Sequence, residues 1–176
     1  MKIYVVRHGE TNWNKEKLLQ GQTNTSLNET GVKQAYEVKQ KLKNIKLDVI
    51  ISSTLKRAKQ TAKIINEDRK CKIIFDDRIN ERNYGKLEGT SPKREDMLIY
   101  WKLNVPFPEE HGIEAIDDFL NRIKAVLNDI KNKYESVLLV THAGTYRAIE
   151  HYFSQDKEES LIKNLDNGEI KCFEIT

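Results

Sequence analysis

Three short strings in this chain set a histidine or arginine among small residues: Arg7-His8-Gly9, Ser52-Ser53-Thr54-Leu55-Lys56-Arg57 and Thr141-His142-Ala143-Gly144. Lysine is the default cation, 22 Lys against 8 Arg, so each arginine is informative where it sits. Its planar fork grips phosphate or carboxylate bidentately, which an ammonium does not. Two arginines and two histidines without a carboxylate or cysteine cluster make a poor metal site. They make a good anion site. His8, beside cations, has its pKa depressed; the ring stays neutral and its lone pair is free to attack phosphorus. The same cations bind a dianionic phosphoryl group and stabilise its equatorial oxygens during transfer. The leaving oxygen needs a proton, and Glu81, in Ile79-Asn80-Glu81-Arg82-Asn83-Tyr84-Gly85, is the best-placed carboxylic acid. On spacing alone Glu81 is one acidic residue among 27.

These residues must be delivered to one place, and the hydrophobic pattern supplies the means. Five β-type runs stand out, Lys2–Arg7, Asp48–Ser52, Lys72–Phe75, Ser136–Thr141 and Ile170–Ile175; the first, second and fourth are almost continuously apolar. Such runs belong to strands buried on both faces of a parallel sheet. Helical stripes lie between them: about Glu29 to Lys43 begun by Asn28, Leu55 to Ile65 with Ser52–Thr54 as caps, Ile116 to Tyr134, and Ala143 to Phe153. Alternating strands and helices predict βαβ units and an α/β three-layer sandwich. Ligands bind beyond the carboxyl ends of strands in such sheets, and helix N-termini there favour anions. Taken singly, His8 is a polar loop residue, Arg57 a surface cation and His142-Ala143-Gly144 a tight turn. Jointly they converge on one sheet edge.

Composition bounds the rest. The chain has 176 residues, 38% hydrophobic and 32% charged, enough for one domain with a normal core. A net charge of +3 from 30 basic and 27 acidic residues is too even for a dedicated nucleic-acid binder. No apolar run is long enough for a membrane helix, and the N-terminus has no signal-peptide pattern. Cys71 and Cys172 read as reduced thiols, which places the chain in the cytoplasm. No G-x-x-x-x-G-K-[ST] or G-x-G-x-x-G string is present, which argues against a nucleotide triphosphatase or dinucleotide enzyme. Residues 76–114 are less regular, hold all three prolines and read as an excursion over the sheet edge.

The strings also resemble a known family, the histidine phosphatase superfamily, in its phosphoglycerate-mutase-like branch. Arg7-His8-Gly9-Glu10-Thr11 with Trp13-Asn14 resembles R-H-G-[EQ]-[ST]-x-W-N, and Gln20-Gly21 through Gly31 the segment after it. Ser53 to Ala58 with Thr61-Ala62 resembles S-x-L-x-R-A-x-x-T-A, and Asn80-Glu81 to Gly89 resembles N-E-x-x-[FY]-G-x-x-[ED]-G. Val140 to Gly144 resembles V-[ST]-H-[GA]-G, and Gly112-Ile113-Glu114 the G-x-E-S string, with Ala115 for Ser. The resemblance spans nearly the whole chain, 1–176, as a single domain. It implies a mixed, mostly parallel sheet of about six strands flanked by helices. It implies that His8 carries the phosphoryl group, that Arg7, Arg57 and His142 hold its oxygens with help from Asn14, and that Glu81 protonates the leaving group and then deprotonates water. Gln20, Gly21, Tyr84 and Gly144 take positions near substrate. No metal and no cofactor is implied.

Departures from the resemblance separate hydrolysis from mutase chemistry. Only 60 residues lie between Glu81 and His142, Trp101 is followed by Lys102-Leu103 where mutases carry two arginines, and no long tail follows the last strand. A shorter, open pocket admits water. The expectation is a metal-independent phosphomonoesterase acting on a small-molecule phosphate monoester, with no nucleic-acid or membrane partner. The alternatives are a cofactor-dependent phosphoglycerate mutase and a non-catalytic phosphoester-binding module.

Overall fold

The structure, a computed structural model, describes residues 1–103 and 111–175. Strand β1 (Lys2–Arg7) leads through a single turn, α1 (Asn12–Lys15), to helix α2 (Glu29–Lys41), then β2 (Val49–Ser52), α3 (Lys56–Asn66) and β3 (Ile73–Phe75). A short helix α4 (Arg94–Leu98) precedes α5 (Ile116–Ile130), β4 (Ser136–Thr141), α6 (Ala143–Phe153), α7 (Lys157–Ser160) and β5 (Ile170–Glu174). The strand order is β3-β2-β4-β1-β5, parallel except for β5, which runs antiparallel along β1.

The period-two alternation of buried strands sorts the core into two layers. Ile3, Val5, Val49, Ile51, Val137 and Leu139 face one side, against Ile116, Phe119, Ile123 and Leu127 of α5 and Ile149 of α6. Val6, Ile50, Leu138 and Val140 face the other, against Val38 of α2 and Ala58, Ala62 and Ile65 of α3. The three-layer α/β sandwich is therefore as expected.

Several details differ from the sequence reading. The described residues form five strands, not about six; the further β-type contact is an isolated bridge between Thr11 and Leu27, which supplies too few hydrogen bonds for a strand. Helix α5 stops at Ile130 rather than reaching Tyr134, because Asn132 turns left-handed at φ 67°. Helix α2 ends at Lys41. The N-terminus of α3 is only partly capped as expected: Ser53 Oγ accepts from Leu55 N–H, the residue before the helix, at 3.1 Å, and Lys56 N–H, the first of the helix, donates instead to the Asn24 side chain at 2.7 Å. Residues 104–110 of the 76–114 excursion lie outside the described residues.

Candidate active site

Each histidine and arginine singled out by type sits where a parallel strand ends. His8 follows β1 directly, and its backbone N–H donates to the Thr141 carbonyl at 2.9 Å, which locks the ends of β1 and β4 side by side. His142 follows β4 at the start of α6, and the two imidazole rings lie 5.1 Å apart. Arg57 reaches in from the first turn of α3 and Arg7 from the end of β1. A cavity of about 190 Å³ at this edge is lined by Arg7, His8, Asn14, Gln20, Gly21, Arg57, Glu81, Tyr84 and Gly144. Nine of the ten predicted site residues thus share one cavity, with His142 behind His8.

Hydrogen bonds settle which ring nitrogens carry protons. His8 Nδ1 lies 2.7 Å from the Gly9 carbonyl, which can only accept, so Nδ1 is protonated and the lone pair is on Nε2. Arg57 Nε–H donates to that Nε2 at 3.1 Å. Burial holds the His8 pKa well below 6.5, and the charges of Arg57 and Arg7 push it further the same way. Desolvation is the larger cause, ahead of the neighbouring cations. His142 Nε2 lies 2.8 Å from Ser53 Oγ, while the Ser53 hydroxyl donates to Asn80 Oδ1 at 2.6 Å. The His142 proton is therefore on Nε2, and buried Nδ1 has no partner. Burial and the neighbouring Arg57 also hold His142 well below 6.5.

The arginines are fixed by backbone carbonyls and keep spare donors. Arg57 Nη1 donates to Thr23 O at 2.8 Å and Nη2 to Gly21 O at 2.7 Å. Arg7 Nη1 donates to Leu165 O at 2.8 Å, and its buried Nε has no acceptor. Desolvation brings Arg57 down to about 10, so it is still a cation at neutral pH. Buried donors without acceptors are costly in a finished core and useful in an anion site.

Glu81 enters from the loop after β3. Its Oε1 accepts from Arg82 N–H at 2.8 Å and its Oε2 from Gly144 N–H at 3.0 Å, in the first turn of α6. Gly144 is needed here: a Cβ on it would sit 2.2 Å from Glu81 Oε1. Gln20 Oε1 accepts from Thr11 and Thr25 hydroxyls, at 3.0 and 2.6 Å, and Asn14 Oδ1 accepts from Thr11 N–H at 3.1 Å. With both carbonyl groups taken, the amide NH₂ groups are left for the cavity.

Three supporting residues escaped the sequence reading. Glu88 accepts from the backbone N–H groups of Gln22, Thr23 and Tyr84 at 2.9, 2.9 and 3.1 Å, shaping the loop whose carbonyls hold Arg57. Arg122 pairs with Glu114 at 2.6 Å and donates to the carbonyls of Arg78, Asn80 and Glu81, which fixes the acid's backbone. Ser53 orients His142. Glu88 and Ser53 lay inside the quoted motifs, so position in the motif was the available signal; Arg122 had only its rarity as an arginine.

A neutral histidine nitrogen facing guanidinium groups, with a carboxyl group at the far wall, is equipment for phosphoryl transfer at a sheet's carboxyl edge. Residues 3–176 match the model of the histidine phosphatase superfamily (branch 1), and the chain belongs to that superfamily of enzymes. It is 36% identical over 149 residues to the uncharacterized phosphatase PhoE of Bacillus subtilis, covering 84% of this chain and 74% of that one. The probable phosphoglycerate mutase GpmB of Escherichia coli is 34% identical over 150 residues, 81% and 69% of the two chains. The α-ribazole phosphatase of Shigella flexneri has the same fold, with a TM-score of 0.84 over 100% of this chain and 91% of that one at 23% identity. The protein is a phosphatase-type enzyme of this superfamily. Among the described residues, no helix is long and apolar enough to cross a membrane.

Proposed function

We propose that the chain is a metal-independent phosphomonoesterase of small phosphorylated metabolites that works through a phosphohistidine on His8. The carrying observation is the bare Nε2 of His8, held neutral beside two guanidinium groups. The Nε2 lone pair forms the N–P bond as the ester P–O bond breaks, with Glu81 in its acid form giving a proton to the departing alkoxide. Glu81, now a carboxylate, takes a proton from water, whose oxygen attacks phosphorus and releases the histidine. Arg7 and Arg57, with the Asn14 and Gln20 amides, hold the phosphoryl oxygens and supply the charge stabilisation a metal would otherwise give, and His142 joins them as a donor when the bound anion draws a proton onto its Nδ1. Gly21 shapes the loop that holds Arg57, Tyr84 walls the leaving-group side, and Gly144 supports Glu81. The reading treats 1–176 as one cytoplasmic catalytic domain with the 76–114 excursion over its site.

Hydrolysis of p-nitrophenyl phosphate with EDTA present, wild type beside His8→Ala, tests this. Activity that survives chelation and vanishes in the variant is expected, with an acid-labile phosphoprotein trapped from the wild type only. Near-normal turnover in His8→Ala would remove the nucleophile assignment. Phosphoglycerate isomerisation that depends on a bisphosphoglycerate, without hydrolysis, would make the chain a mutase.

A further inference from the structure

We infer that a second hollow beside the phosphate cavity receives the alcohol portion of the substrate, and that this portion is a compact, uncharged apolar group, an aryl or branched alkyl. The inference rests on the phosphatase reading above. The hollow, about 200 Å³, shares Leu19, Tyr84 and Arg147 with the phosphate cavity. Its remaining walls are Met97 and Leu98 of α4, Trp101 and Ile162.

Three features point to an apolar occupant. Among the described residues, no carboxylate, amine or hydroxyl apart from the Tyr84 phenol lines the hollow. The single charge, Arg147, is shared: its Nε donates to Lys163 O at 2.9 Å and its guanidinium lies over the Trp101 ring, 4.8 Å from the centroid, while the Nη groups can serve a phosphoryl oxygen, because Arg147 lines the phosphate cavity too. Leu98 and Ile162 are 41% and 49% exposed, so two large aliphatic side chains that line the hollow meet water where a ligand would cover them. Position gives the direction. Glu81 lines the phosphate cavity but not the hollow, and Tyr84 lines both, so an oxygen protonated by Glu81 carries its substituent past Tyr84 toward Leu98. A sugar or a glycerate there would give up water against Leu19, Met97, Leu98, Trp101 and Ile162, with only the Arg147 Nη groups and the Tyr84 hydroxyl to replace it.

Titration calorimetry on the whole chain with methylphosphonate and benzylphosphonate separates this from the chemistry, since the two share an anion and differ by a ring. Benzylphosphonate should bind roughly tenfold or more tighter. Leu98→Asp, at an exposed position, should erase that advantage while the methylphosphonate affinity holds, and Ile162→Asp should reduce it. Equal binding of the two phosphonates by wild type, or an advantage indifferent to both variants, overturns the inference. Binding of neither overturns the phosphate site and the hollow together. Discrimination between phosphonates without hydrolysis of phenyl phosphate would remove the phosphatase reading and leave the hollow standing.

Discussion

Arg57 Nε–H and His8 Nε2 are 3.1 Å apart, so the lone pair that attacks phosphorus is also the acceptor of an arginine hydrogen bond. Attack requires that this N–H be handed to a phosphoryl oxygen. The exchange conserves hydrogen bonds, and it lets one guanidinium both hold the ring in its reactive tautomer and greet the anion. Arg57→Lys keeps the charge but cannot reach His8, Thr23 O and Gly21 O from one rigid plane. A fall in kcat of roughly 10²–10³ is expected, the size seen when a transition-state donor is removed. Steady-state kinetics with p-nitrophenyl phosphate measures it; a loss under threefold would show that charge alone suffices.

Glu81 and Gly144 make a paired prediction. Glu81→Gln removes the proton, so turnover should drop roughly 10²–10⁴ for an alkyl phosphate and much less for a nitrophenyl ester, whose leaving group needs little help. Gly144→Ala leaves the acid in place chemically but drives a methyl group into Oε1. It should reproduce the same leaving-group dependence in weaker form. A Gly144→Ala defect equal for both esters would mean that the methyl group disturbs phosphate binding rather than the acid.

Ser53 governs His142 through a chain of directed bonds. Asn80 Oδ1 accepts from the Ser53 hydroxyl, which leaves the Ser53 oxygen to accept His142 Nε2–H. Ser53→Ala strands a buried ring N–H, a cost of about 1–3 kcal/mol. Thermal unfolding should register that loss. The pH dependence of phosphate binding should move as well, because the variant no longer selects which nitrogen of His142 is bare. A lowered Tm with an unchanged binding profile would confine Ser53 to a packing role.

The sheet was legible because burial on both sides makes Lys2–Arg7 and Ser136–Thr141 nearly continuous apolar runs. Strand ends then located His8, Arg57 and His142 by topology alone. What the pattern could not show is second-layer chemistry. Glu88 reads as one acid among 27, and nothing local says that it collects three backbone N–H groups from two loops. Capping differs for a similar reason: Ser53 and Thr54 are good caps by type, but their hydroxyls donate to Asn80, Ser53 Oγ reaches only the N–H of Leu55 before the helix, and the first helical N–H is met by Asn24, 32 residues away. Local propensity yields wherever a long-range hydrogen bond is available. Tyr134 continues the apolar stripe of α5 beyond the left-handed Asn132, after the helix has ended at Ile130, so periodicity alone overstates its length.

Two neutral buried histidines give stability a defined pH dependence. His8 and His142 are 3% and 0% exposed, and both are held below the ordinary value of 6.5. The unfolded chain therefore binds more protons than the folded one once the pH falls below that value. Stability is full above about pH 7 and is lost as the pH drops through 6.5 toward the folded values, at up to about 1.4 kcal/mol per pH unit for each withheld proton. Inorganic phosphate should oppose the loss, because a bound anion stabilises a charged imidazole and binds only the folded chain. Calorimetric Tm from pH 8 to 5, with and without phosphate, reads both effects. His142→Asn removes one titrating ring and should flatten the slope; a slope that stays as steep would assign the acid sensitivity to other groups.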